Sequence, residues 1–315
     1  MINMDAKRRE IFNEKFNSIN KKLRPELNSV LDLISRGQKP KNFKRCRHYT
    51  EVKKFLKCVY QEKCVFCEKK PEKLDIDHYR PKGGAREFDG EKTYLVADEK
   101  NELHPGYYWL AYEVTNLLLL CSDCNGGDEC KHTKFPVSGT RLFKHPEDES
   151  QWRVDSGRLL DEKPLLLHPL VDEPESHIKI DSSGKAVPVN GSKKGAMTIN
   201  VCNLNRHDLW IDRRKKIIDD IFRELKNQLS DFSKYLEKNE TIDIKKIKWI
   251  FLIFNRQFSR LKINKAKNYE FSRVYHCMYE KFDEFLDENN VTMELSATDK
   301  SLIKKIFLWF KNERP

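Results

Sequence analysis

Cys64-Val65-Phe66-Cys67, then Asp75-Ile76-Asp77-His78-Tyr79-Arg80-Pro81-Lys82-Gly83-Gly84, then Asn116-Leu117-Leu118-Leu119-Leu120-Cys121-Ser122-Asp123-Cys124-Asn125. The two CxxC pairs frame everything between them. Two residues between thiols let one tight turn aim both sulfurs at a single ion, and two such knuckles complete a tetrahedral tetrathiolate zinc site. Fifty-three residues separate Cys67 from Cys121, so a subdomain is inserted between the halves of the site. Four thiolates close the coordination shell, so the expected Zn²⁺ is structural and carries no chemistry. A dithiol redox pair is the competing reading, but the surrounding βαβ pattern it needs is missing. Cys46, Cys58, Cys130, Cys202 and Cys277 lack ligand spacing and read as ordinary thiols.

Working outward, residues 1–60 read as a basic helical segment. Ile11, Phe12, Phe16, Ile19 and Leu23, then Leu27, Val30, Leu31 and Ile34, recur at roughly helical spacing until Arg36-Gly37 breaks the pattern. A second basic run follows, with Lys41, Lys44, Arg45, Arg47, Lys53, Lys54 and Lys57. Residues 61–140 hold the knuckles. Residues 141–205, rich in Pro, Gly, Asp and Ser, read as an irregular layer with a hairpin near His177 to Ile180. Residues 206–315 return to helix, with further helices expected over roughly 243–262, 265–289 and 298–312.

The chain has 315 residues, 35% of them charged, and a net charge of +11. A basic excess favours a polyanion partner, because cations on phosphates release condensed counterions. No apolar stretch reaches membrane-spanning length, and Met1 to Phe16 is polar and charged. The expectation is a cytoplasmic protein with reduced thiols and no membrane partner.

The order D-H, then N-L-L-L-L-C-x-x-C-N, resembles the HNH endonuclease family. That family separates its middle Asn from its third residue by nine positions, as Asn116 and Asn125 are separated here. The resemblance implies an α+β fold, a ββα-metal core with the four-cysteine zinc site embedded in a mostly helical protein. Phosphodiester hydrolysis needs an activated water and a cation on the developing charge. His78 suits the general base, and Asp77 offers a hard oxygen to Mg²⁺ or Mn²⁺. The resemblance also implies that both sit on a β-hairpin, that Asn116 fixes the loop and orients His78, and that Asn125, on a helix after the second knuckle, is a further metal ligand. His132 is the alternative ligand, since Gly126-Gly127 is poor helix sequence. Asp75 is a weaker candidate, and Arg80 and Lys82 are candidate phosphate contacts.

Further blocks are similar to the HNH nuclease subunits of Septu anti-phage systems (the PtuB family) and to retron-associated HNH proteins. They are Tyr108-Trp109-Leu110-Ala111-Tyr112-Glu113, Lys134-Phe135-Pro136-Val137, Glu162-Lys163-Pro164-Leu165-Leu166-Leu167-His168-Pro169, and Leu204-Asn205-Arg206. This implies antiviral defence, an ABC/SMC-like ATPase partner and a nucleic-acid target, DNA first and RNA second. Tyr107-Tyr108-Trp109 reads as a helix packing on the hairpin rather than a base-stacking platform. The competing reading is a non-cleaving, zinc-stapled adaptor on the same scaffold.

Overall fold

The computed structural model describes residues 1–2, 4–38, 47–126, 130–238, 244–266, 268–289 and 295–313. Cys46, the basic residues Lys41, Lys44 and Arg45, and the Gly127-Asp128-Glu129 stretch lie outside the described residues. The chain divides into two units, one of residues 1–178 and 188–204, the other of residues 179–187 and 205–315. The first three sequence segments therefore fold together, except that residues 179–187 and Asn205 join the helical second unit.

In the first unit α1 (Ala6–Ser35) starts where the Asp5 carboxylate accepts from the Arg8 amide. It buries Phe12, Ile19, Leu23, Leu27 and Val30 along one face. The helix runs through Pro25 and stops at Arg36-Gly37, the break the sequence marks. α2 (Tyr49–Tyr60) buries Val52, Phe55, Leu56 and Val59, packing on α1 and on a strand further along. That strand, β4 (Leu117–Leu120), pairs antiparallel with β1 (Asp75–His78), setting Asp77 opposite Leu118 and His78 opposite Leu117. All four β4 leucines are buried, as expected of an apolar run covered on both faces. Between β1 and β4 lies a second hairpin, β2 (Arg86–Phe88) and β3 (Thr93–Leu95), closed by Asp89-Gly90. The helix after the second knuckle, α3 (Ser122–Asn125), is a single turn. It carries Asn125, as the resemblance implies, and ends at Gly126, a residue of poor helix propensity.

The layer beyond the knuckles is held by buried polar groups. Arg80 is fully buried, its Nε donating to Glu162 at 2.9 Å and a terminal nitrogen to the Leu159 carbonyl at 2.6 Å. Glu162, also fully buried, accepts from the Tyr107 hydroxyl and the Leu142 amide. Removing one member of a buried ion pair strands the other charge and costs about 3–5 kcal/mol. Glu162→Gln is therefore expected to lower unfolding stability by that order in urea titrations; a change below about 1 kcal/mol would remove the pair from the fold's support. α4 (Gly157–Leu160) and α5 (Lys193–Val201) complete this unit.

Three imidazoles add a pH dependence: His78 of β1, held down at about 4 by burial, and two outside that strand. His104 donates to the Leu142 carbonyl, and burial holds it down at about 4. His168 is held at about 3, by burial and then by the Arg80 charge. All three folded-state values lie below the unfolded value near 6.5, so stability is full above pH 6.5 and is lost as pH falls toward 4. At pH 5 each imidazole is expected to remove about 2 kcal/mol. Melting the chain at pH 7.5 and pH 5 checks it, and His104→Gln should remove its own share of the slope.

The second unit holds α6 (His207–Leu209), a π-helical turn over Trp210–Lys215, and α7 (Lys216–Lys238), α8 (Ile244–Asn264), α9 (Ser272–Glu280), α10 (Phe282–Glu288) and α11 (Ala297–Glu313). The π turn forms where the Ser183 carbonyl takes the Trp210 indole N–H at 2.7 Å. Gly184, at φ +82°, lies so close that a Cβ would come within 2.8 Å of the Lys215 nitrogen. The helix expected over 265–289 divides at Lys281, whose backbone leaves helical geometry. Phe258, Phe282, Phe307 and Phe310 form the aromatic centre, with Phe282 and Phe307 stacked at 4.1 Å. Leu252, Leu308 and Trp309 are exposed.

Candidate functional site

The first knuckle is strung onto β4 by the Val65 amide, which donates to the Leu119 carbonyl at 2.9 Å. It closes with Glu68 at φ +66°, its amide on the Cys64 carbonyl. In the second knuckle the Cys124 and Asn125 amides both donate to the Cys121 carbonyl. As a result the Sγ atoms of Cys64, Cys67, Cys121 and Cys124, all buried, lie within 4.8 Å of one another. Cys67 and Cys121 are 3.7 Å apart. Tetrahedral Zn–S bonds of about 2.3 Å require sulfurs about 3.8 Å apart, so the cluster could hold zinc. Hydrogen bonding from Cys124, Cys64 and Cys67 pulls the Cys121 thiol far below its ordinary range, while burial pushes Cys64 up. Cys58 is exposed, and Cys130, Cys202 and Cys277 are buried outside the cluster.

Directly on the strand that leads from this centre, Asp77 and His78 meet two different partners, as alternating strand side chains must. The His78 Nε2 lies 2.9 Å from the Ala111 carbonyl oxygen. A carbonyl only accepts, so Nε2 carries the proton and Nδ1 carries the lone pair. Burial and then the Lys82 charge hold this imidazole down at about 4, so the ring is neutral at pH 7. Asn116 is fully buried and clamps the loops around it. Its Oδ1 accepts the Arg80 amide at 2.8 Å, and its Nδ2 donates to the carbonyls of Arg80 and Leu110 at 3.0 and 3.2 Å. Asn116 thus holds the Leu110 carbonyl, one residue before the Ala111 carbonyl that lies against His78 Nε2.

Asp77 accepts from the Lys131 ammonium at 2.8 Å, and the same nitrogen donates to the His78 carbonyl at 2.6 Å. Lys131 is fully buried. No spacing rule marks it: it is one lysine among basic neighbours, and only the fold reveals that it closes on Asp77. Lys82, half-buried, stands close enough to raise the local potential at His78, and the loop holding it depends on Gly106. A Cβ on Gly106 would reach the Lys82 carbonyl oxygen at 2.4 Å.

The remaining expectations divide. Arg80, expected on phosphate, is instead sealed in its pair with Glu162 and has no route to a ligand. Tyr107, Tyr108 and Trp109 are buried in a short 3-10 turn, so they pack and do not stack on bases. Asp75 is shared by Lys53 and Lys73 at 3.6 Å each. Asn125 ends α3 with its Oδ1 buried and without a hydrogen-bond partner among the described residues. His132 is exposed at φ +39°, its carbonyl 3.4 Å from the Lys131 ammonium. Among the described residues no hydrogen bond joins Asn125 to Asp77 or His78. Asn125 Oδ1 is uncommitted among the described residues and Asp77 keeps one oxygen outside its bond to Lys131, while the four cysteines are the one group of three or more His, Cys, Asp or Glu among the described residues placed to hold a metal ion.

Fold and site together define a mostly helical α+β protein with a buried four-cysteine cluster that could hold zinc and, on the strand beside it, an oriented neutral histidine next to a carboxylate. Over 203 residues the chain is 32% identical to the Septu protein PtuB of Bacillus mycoides (strain KBAB4), covering 62% of this chain and 61% of that protein. Over 159 residues it is 36% identical to the Septu protein PtuA of the same strain, covering 49% of this chain and 19% of that protein. The chain therefore spans about three fifths of the one curated relative and one fifth of the other. No protein-family profile matches it, and no solved structure matches it significantly. Among the described residues no helix is long and apolar enough to cross a membrane.

Proposed function

We propose that this protein is a metal-dependent endonuclease of the HNH type that hydrolyses nucleic-acid phosphodiester bonds within an anti-phage defence system. The observation that carries the reading is the contact of His78 Nε2 with the Ala111 carbonyl at 2.9 Å: a carbonyl only accepts, so Nε2 donates and Nδ1 is left as a base with a fixed direction. In this reading Nδ1 takes a proton from the attacking water, and the Ala111 carbonyl stabilises the imidazolium that forms. Asn116 holds the carbonyl of the preceding residue, Leu110, and Lys131 fixes the Asp77 carboxylate. Asp77 with Asn125, or with His132 in place of Asn125, would hold Mg²⁺ or Mn²⁺, which would supply positive charge to a phosphate group. Zinc at the four cysteines is structural. The similarity to two Septu proteins supports the defence role, and the resemblance to Septu nuclease subunits supports an ABC/SMC-like ATPase partner. DNA is the first target to test and RNA the second.

One observation favours the second reading, a non-cleaving adaptor. An ammonium already sits on Asp77, and a carboxylate so neutralised attracts a divalent cation less strongly. The experiment that separates the two is incubation of plasmid and total RNA with the purified chain, with and without Mg²⁺ and a candidate ATPase. Mg²⁺-dependent cutting that vanishes in His78→Ala supports the nuclease; intact substrate under every condition, or cutting unchanged in the variant, overturns it.

A further inference from the structure

The second unit carries a cleft of about 620 Å³ between α7 and α8, lined by Glu224 on the first helix and by Arg256, Gln257, Arg260 and Asn264 on the second. Arg256 and Arg260 are exposed and four residues apart, so they stand one above the other on the same side of the helix. Like charges at that spacing cost the helix a few tenths of a kcal/mol. Neither guanidinium has an acidic partner among the described residues, although Arg223, Lys265 and Lys281 of the same unit all find one. Glu224 lines the cleft without forming an ion pair with either, so among the described residues the arginines stay uncompensated. Gln257 is only 9% exposed, and its Oε1 is buried with no hydrogen-bond partner among the described residues. A buried acceptor left unmet costs about 1–3 kcal/mol. The cleft thus presents two forked cations at its surface, above a buried acceptor that no described residue meets, and the exposed pair suits a ligand bearing phosphates.

We propose that this cleft binds the sugar–phosphate backbone of a nucleic-acid strand, Arg256 and Arg260 taking phosphate oxygens. The inference rests on the nucleic-acid reading of the first unit but names a separate binding site. Guanidinium groups match phosphate oxygens through two parallel N–H donors, and a chain with a net charge of +11 draws a polyanion toward them.

The test uses the full chain without added divalent ion and measures its affinity for fluorescent duplex DNA and single-stranded RNA between about 50 and 200 mM salt. Arg256→Ala with Arg260→Ala is expected to weaken binding by one to two orders of magnitude near 0.1 M salt. It should also flatten the log–log salt slope by about 1.8 for duplex DNA or about 1.4 for a single strand. Arg256→Lys with Arg260→Lys should restore most of the slope. The polymer whose slope responds is the one held in the cleft. A double alanine variant with the parent's affinity and slope for both polymers overturns the cleft, as does a parent that binds neither. Cleavage in Mg²⁺ is scored separately on the parent and on His78→Ala, so the cleft can fail while the nuclease reading stands, and the reverse.

Discussion

His78→Ala is expected to reduce strand cleavage by about 10²–10⁴-fold, the usual contribution of a positioned general base, with zinc content unchanged. The variant removes the lone pair at Nδ1 and also orphans the Ala111 carbonyl, which His78 Nε2 otherwise satisfies. Losing that hydrogen bond costs about 1–3 kcal/mol, so a melting shift of several degrees accompanies the kinetic loss. The two effects come apart with His78→Gln, whose amide can still donate to the carbonyl but is no base. His78→Gln should melt close to the parent and cut as poorly as His78→Ala. Activity recovered in His78→Gln would mean that orientation of the loop, and not proton transfer, is what the residue supplies. Activity undiminished in His78→Ala would end the general-base assignment.

How much of this arrangement is legible in the sequence depends on whether a residue's partner is close along the chain or only in space. The tetrathiolate cluster is legible because each half is a local turn: Cys64 and Cys67 share one, Cys121 and Cys124 the other, and only their meeting needs the fold. The apolar run Leu117 to Leu120 announces a buried strand, and the glycine after Arg36 announces the end of α1. Asn116 is marked by the resemblance, and its side chain indeed bridges the two loops flanking His78. Arg80 misleads because a charged residue beside His78 looks like a ligand contact until its partner is known. That partner, Glu162, lies 82 positions away. Lys131 escapes notice for the mirror-image reason: nothing in a short Cys-Lys-His stretch says that a lysine will be fully buried against Asp77, 54 positions earlier. The Ala111 carbonyl is a backbone atom and carries no sequence signal at all. The helix expected to carry Asn125 is a single turn that ends at Gly126, a poor helix former.

Cys64→Ser and Cys121→Ser should be the most destabilising single changes in the chain. A serine hydroxyl is not an anion at neutral pH, so either variant leaves three thiolates for an ion that structural sites hold with four ligands. Binding free energy in such sites is folding free energy, of order 10 kcal/mol or more in small zinc modules, against a total stability of about 5–15 kcal/mol for an ordinary domain. The damage should spread because the cluster is where distant pieces of the first unit are tied. The knuckle holding Cys64 hangs from β4 through the Val65 amide and receives the Ile2 amide on its other side. The opposite knuckle begins one residue after β4 ends. β4 in turn carries β1, so loosening the sulfurs loosens Asp77 and His78 as well. The expected result is zinc falling from one ion per parent chain to well below one, together with loss of the cooperative melt of the first unit. Cys58→Ser, at an exposed thiol outside the cluster, should change neither. A Cys64→Ser chain that keeps its zinc and melts with the parent would show that the four sulfurs do not staple the fold. A parent that carries no zinc but titrates as two dithiols would return the cysteines to redox chemistry.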